Sequence, residues 1–157
     1  MANPIPSGYH TLTPSFTFKS SKKAIEFYKK AFNAKTLDTF PALQGDGLMH
    51  ATVQIGNSIF MMGDEMPGGT CKSAETLGES PITLYIYTED ADVMYKQAVG
   101  AGATPVMPMG DMFWGDRAGT IKDPFGHCWM IATHKKDLTP EQMRQGAEAF
   151  FAQMAKK

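Results

Sequence analysis

Residues 13–32, TPSFTFKSSKKAIEFYKKAF, and residues 83–102, TLYIYTEDADVMYKQAVGAG, decide the fold. The first belongs to a stretch that opens with period-two alternation. Over Thr11 to Phe18, Leu12, Phe16 and Phe18 point one way, and Thr11, Thr13, Ser15 and Thr17 the other. That is the pattern of a half-buried strand, with Pro14 marking an edge or a bulge. Ser20 or Ser21 can then cap a helix, along which Ala24, Phe27, Tyr28 and Ala31 form an apolar stripe. The second stretch repeats the sequence of events. Ile82, Leu84 and Ile86 oppose Thr83, Tyr85 and Tyr87, and a helix carrying Ala91, Met94, Tyr95 and Ala98 ends at Gly102.

More strands follow each helix. Leu48 to Ile55 alternates, with Met49, Ala51, Val53 and Ile55 on one face and His50, Thr52 and Gln54 on the other. The Gly56-Asn57 turn leads to a hairpin partner over Ile59 to Met62. In the second half, a polar stretch bearing Gly and Pro precedes short strands at Arg117–Ile121 and His127–Ala132. Thr13 and Thr83 therefore mark equivalent points of an internal repeat of the βαβββ type. The expected architecture is α+β, one domain over 1–157. Module one covers about 10–65, an exposed linker 66–80 (within the Gly-, Pro- and polar-rich stretch 63–80), and module two about 81–134. An amphipathic helix at 139–156 closes the chain. That helix opens on a capping box, Thr139-Pro140-Glu141-Gln142, and shows the stripe Met143, Ala147, Phe150 and Met154. The stripe must lie on its own sheet or on a second subunit.

Composition narrows the function. A chain of 157 residues, 43% hydrophobic and 20% charged, suits one ordinary globular domain. A formal charge of -1 offers nothing to nucleic acid or to a membrane surface. No apolar run spans a bilayer, and MANPIPSGYH is not a signal peptide. Cys71 and Cys128 lack metal or redox spacing, so both thiols are expected free in a reduced, cytoplasmic setting. There is no GxxxxGK[ST], GxSxG, HExxH or CxxC.

AIEFYKKAF after the first strand and DPFGHCWMI from residue 123 resemble motifs of the glyoxalase/bleomycin-resistance/dioxygenase (vicinal oxygen chelate) superfamily. FWGDRAG at 113–119 and HATVQIGNSIFMMGDE at 50–65 are similar to its PhnB-like branch. The resemblance covers roughly residues 10–134. It implies two βαβββ modules whose strands form a curved, cup-like sheet around a small molecule and, in metalloenzyme branches, a divalent metal. The family's metal ligands come from four strand positions, which fall here on Thr13, His50, Thr83 and Met130. One imidazole with two hydroxyls and a thioether is not a donor set for a divalent metal. No metal or other cofactor is therefore expected.

The remaining candidates lie around the expected cup. His50 could act as a general base or hydrogen-bond to a substrate, or simply bond to Thr13 or another neighbour. Trp114 and Arg117 would suit a planar or anionic ligand, or would form a buried Trp beside an Arg–Asp pair. Tyr85, Tyr87, Thr13, Thr83 and Met130 would line the cup. His127 is expected to brace the DPFGH turn through its ring, and His134 to be solvated. The leading reading is a homodimeric module binding a small molecule without chemistry. The alternatives are a metal-independent isomerase or lyase using His50, a metalloenzyme with an atypical set such as His50 with Asp64 or Glu65, and a scaffold whose cup its own side chains fill.

Overall fold

The computed structural model describes residues 2–155. Module one is β1 (Ser15–Phe18), α1 (Ser21–Phe32), β2 (Lys35–Pro41), β3 (Leu48–Ile55) and β4 (Ser58–Asp64). A four-residue helix α2 (Ala74–Leu77) interrupts the connection to module two. Module two repeats the order: β5 (Thr83–Tyr87), α3 (Ala91–Ala101), β6 (Thr104–Asp111), β7 (Asp116–Lys122) and β8 (Cys128–His134). The chain then enters α4 (Pro140–Met154). The sheets are β1-β4-β3-β2 and β5-β8-β7-β6, with β1 parallel to β4 and β5 parallel to β8. The βαβββ repeat is thus present twice, in two open curved sheets.

Local chemistry sets the helix ends. The Ser20 hydroxyl accepts from the Lys23 N–H, and Asn33, at φ 55°, ends α1 in the left-handed region. Asp90 caps α3, and Gly102, at φ 117°, closes it. Thr139 and Gln142 complete a reciprocal capping box on α4.

One aromatic core joins the modules. Phe16 and Phe18 of β1, Tyr28 and Phe32 of α1 and Phe60 of β4 meet Phe125 and Trp129 of module two. Trp129 stands 4.9 Å from Phe32 and 5.4 Å from Tyr28, centroid to centroid. Fully burying a side chain of this kind stabilises a fold by about 1.5–3 kcal/mol. Within this core the Asp123 carboxylate accepts from Tyr28 Oη at 2.7 Å and from Trp129 Nε1 at 2.9 Å. It also accepts from the Phe125 and His127 amides, each at 2.9 Å. The Asp-Pro turn therefore ties α1 of one module to β8 of the other. The His127 ring does not brace the turn by hydrogen bonding: Nδ1 lies 3.5 Å from Asp123 Oδ2 and makes no hydrogen bond. It packs edge-on against Phe16 and Phe18 instead.

Several expectations shift in detail. The first strand begins at Ser15; Thr13 lies ahead of it, its hydroxyl donating to the His10 carbonyl, and Leu12 is 86% exposed. Met49 leaves the buried row because Phe40 and Pro41 pair with His50 and Leu48, so Met49 is bulged out and Leu48 turns inward. The edge strands β2 and β6 were not visible as alternation. Each is hydrogen-bonded on one side only, so Pro41, Pro105 and Pro108 are tolerated; β2 is exposed along nearly all its length, while β6 half-buries Met107 and Met109. The stretch 63–80 is less free than a linker. Glu65 accepts from Ser73 N and Thr76 Oγ1 and so anchors α2.

Candidate functional site

Residues in direct register across a sheet share a face. In module two, Tyr85 pairs with Met130, Tyr87 with Ala132, Thr120 with Met130 and Asp116 with His134. Thr83, Tyr85, Tyr87, Met130, Asp116 and His134 therefore occupy one face, opposite Leu84, Ile86, Trp129 and Ile131, which pack toward the core. In module one the same reasoning groups His50 and Thr52 with Thr17 and Met61, opposite Ala51, Val53 and Phe60.

Tyr85, Tyr87 and Trp114 border an open hollow of about 450 Å³. The two tyrosines are 50% and 62% exposed, with ring centroids 6.1 Å apart. They also border a second hollow, about 510 Å³, which opens between β1, the β3–β4 turn and β5 and includes Phe16, Ile59, Leu84 and Met94 in its wall. Trp114 sits on the turn between β6 and β7. Gly115 closes that turn at φ 100°, its N–H donating to Met112 and its carbonyl accepting from Lys135 and Lys136.

Asp116 organises this region, although nothing in the sequence singled it out. Its carboxylate, almost wholly buried, accepts from Trp114 Nε1 at 2.9 Å, Tyr87 Oη at 3.1 Å and His134 Nδ1 at 2.7 Å. His134 is half-exposed, and its Nε2 meets Asp137 Oδ1 at 3.0 Å. Hydrogen bonds to Asp116 and Asp137 raise the His134 pKa. Burial, with the neighbouring Asp116 carboxylate, raises that of Tyr87. His134 is thus held between two carboxylates rather than merely solvated. The available signal was the period of two along β8, which puts residues 130, 132 and 134 on one face.

His50 is half-buried, and its Nε2 lies 3.1 Å from Thr52 Oγ1. Tyr9 Oη lies 3.4 Å from the same hydroxyl, so its neighbours are Thr52 and Tyr9 rather than Thr13. His50 lines neither of the two hollows bordered by Tyr85 and Tyr87. Arg117 points away from them. It follows Asp116 on β7 and faces α3, where Asp92 takes its Nε and Nη2, and Asp111 takes Nη1 at 3.3 Å. Those carboxylates hold its pKa far above the ordinary range. Arg117 is thus paired with Asp92 and Asp111 and not with its neighbour Asp116. Trp114 is half-buried against Phe113 and Asp116.

The glyoxalase/bleomycin resistance protein/dioxygenase superfamily model matches residues 12–131. The chain belongs to this superfamily. It is 34% identical over 136 residues to an uncharacterized protein of Mycobacterium bovis, covering 85% of this chain and 89% of that one. The fold of TioX from Micromonospora sp. ML1 is similar at a TM-score of 0.64, with 23% identity over 80% of this chain and 98% of the other. So is that of a PhnB protein from Bacillus cereus, at a TM-score of 0.60 and 17% identity, covering 79% and 99%.

The superfamily's metalloenzymes raise the question of a metal, and the donors here do not fit one. Among the described residues no group of three or more His, Cys, Asp or Glu side chains is placed to hold a metal ion. Of the four family positions only His50 has an imidazole or carboxylate. The atypical set fails as well. Asp64 is engaged by the Ser21 and Leu48 amides, at 2.6 and 3.0 Å, and Glu65 by the α2 cap, so neither is free to join His50. Cys71 and Cys128 are free thiols. No helix among the described residues is long and apolar enough to cross a membrane.

Proposed function

We propose that this superfamily member binds a small organic molecule at the module-two face, without a metal. The observation that carries the reading is the pair of exposed rings, Tyr85 and Tyr87, which border both hollows, with the half-buried Trp114 beside them at the smaller one. Exposed aromatic rings beside a few fixed polar groups are the composition of a small-molecule site. Thr83 and Met130 flank these rings on the same face. Thr13 and His50 would contribute from the module-one side of a cup. A homodimer fits the same reading. α4 keeps Phe150, Phe151 and Met154 exposed at 41%, 60% and 59%, and a two-fold partner is the commonest cover for such a stripe.

Native mass spectrometry of protein purified without chelator tests the reading. The expected result is a stoichiometric organic adduct that is weakened in Trp114→Ala while the melting temperature changes little. Protein that carries no compound and binds none from a metabolite extract would overturn it. Light scattering at tens of micromolar should find a dimer.

A second reading, proton-transfer catalysis, draws on the Tyr9–Thr52–His50 cluster. A positioned base contributes on the order of 10²–10⁴ in rate. Under this reading His50→Ala abolishes turnover of the bound compound; under the first it only lowers affinity.

A further inference from the structure

The His134 ring is held in a particular charge state by geometry alone. Nδ1 faces Asp116 Oδ1 and Nε2 faces Asp137 Oδ1, and a carboxylate oxygen can only accept. With both carboxylates ionised, both ring nitrogens donate, which is the arrangement of an imidazolium. Its two partners differ. The Asp116 carboxylate is buried and carries three donors, so it is a fixed support. The Asp137 side chain is wholly exposed. An exposed ion pair is worth only about 0–1 kcal/mol, so Asp137 is readily displaced.

The rings beside this cation are oriented for a flat partner. Trp114 and Tyr87 both turn their polar edges toward Asp116. With their polar atoms engaged by Asp116, what these two rings have left to offer the 450 Å³ hollow they line with Tyr85 is aromatic carbon. One carboxylate thus bonds two of the rings that line the hollow and the His134 ring next to them.

We propose that this site takes a planar aromatic acid, whose ring stacks on Tyr85, Tyr87 and Trp114 and whose carboxylate replaces Asp137 at His134 Nε2. This rests on the small-molecule reading above and names the ligand class. The groups bearing on His134 are Asp116 from β7, Asp137 beyond β8 and, through Asp116, Tyr87 from β5. Arg117 is on the opposite face of β7 and is occupied by Asp92 and Asp111. The shared hydrogen bonds to Asp116 and Asp137 keep His134 protonated to higher pH than a free imidazole.

The test is calorimetric titration of the intact protein with 2-naphthoate and with 2-naphthamide, its neutral analogue. The wild type should prefer the acid by about tenfold, the scale of one charge-assisted hydrogen bond. His134→Gln should abolish that preference, weakening acid binding more than amide binding. Asp137→Asn should tighten acid binding, an outcome that a merely structural His134 would not give. Its side chain is wholly exposed, so this variant folds. The preference should also fade as pH rises through the raised His134 pKa and the ring loses its proton. Equal binding of acid and amide, or a preference that survives His134→Gln, would refute the aromatic-acid assignment while leaving the small-molecule reading intact. Failure of both probes to bind at about 1 mM would also refute the assignment; the broader reading is judged separately by the native-mass adduct.

Discussion

Replacing Asp123 by Ala should be the most damaging single change in this chain that leaves the hydrophobic core unaltered. The carboxylate is fully buried and satisfies four donors: Tyr28 Oη, Trp129 Nε1 and the Phe125 and His127 amides. Each buried donor left unpaired costs about 1–3 kcal/mol. The four share one cavity, so the losses do not simply add. With partial relaxation and water entry the total should be about 4 kcal/mol. Stability changes move the melting temperature by about 2–4 °C per kcal/mol at this chain length, so a fall of about 12 °C is expected. Tyr28→Phe removes one donor and leaves the carboxylate three, and should cost about 1 kcal/mol. The decisive measurement is the double-mutant cycle in urea. Once Asp123 is gone, the Tyr28 hydroxyl is a buried group without its partner, so Tyr28→Phe should become neutral or stabilising in that background. The pH dependence should follow. Burial would raise the Asp123 pKa, but His127 and the hydrogen bonds from Tyr28 and Trp129 outweigh it and hold the pKa below the ordinary value. A depressed folded-state pKa gives stability that is present above about pH 3.9 and lost as pH falls through the folded value. Asp123→Ala should remove that part of the acid limb. A loss under about 1 kcal/mol, or an equal cost of Tyr28→Phe in both backgrounds, would refute the account of Asp123 as the pin between modules.

Gly115→Ala should cost more than about 2 kcal/mol, because φ is 100° and a Cβ would stand 2.2 Å from the Lys136 carbonyl oxygen; urea melts read the cost, and the emission of Trp114 should shift as its turn distorts. The raised pKa of His134 gives stability that is full below about pH 6.5 and lost as pH rises through the folded value. His134→Gln should flatten melting temperature against pH in that window, and an unchanged slope would count against its ion pairs. Chelator should leave the melting temperature unchanged, since a tightly held ion would stabilise the fold by mass action; one metal per chain by elemental analysis, lost together with stability, would contradict the donor-set argument.

Much of the fold was legible because it rests on periodicity and caps. α1, α3 and α4 follow their stripes and capping residues, and β3 spans the residues its alternation indicates. β2 and β6 were illegible for a physical reason. β2 is exposed nearly throughout and needs no alternation, because its backbone pairing does not depend on burying a side-chain row; in β6 only Met107 and Met109 form a half-buried row, too short and too broken by Pro105 and Pro108 to read as a strand. At the site, alternation put Thr83, Tyr85 and Tyr87 on one face; the last strand is apolar on both faces, and it is the register that sets Met130 beside Tyr85. It could not show that Arg117 turns to α3, since that depends on where Asp92 and Asp111 come to lie.

The sequence by itself determined the repeat, the helix ends and the absence of metal-binding chemistry at Thr13, Thr83 and Met130, because these depend on residue type and spacing along the chain. Only the tertiary structure decided that Asp123 pins α1 to β8, that Asp116 gathers Tyr87, Trp114 and His134, and that His134 lies between Asp116 and Asp137. Tyr28 is 95 residues from Asp123, and Tyr87 is 29 from Asp116. Such pairings carry no local period; they exist because burying a carboxylate is costly until donors from several elements converge on it.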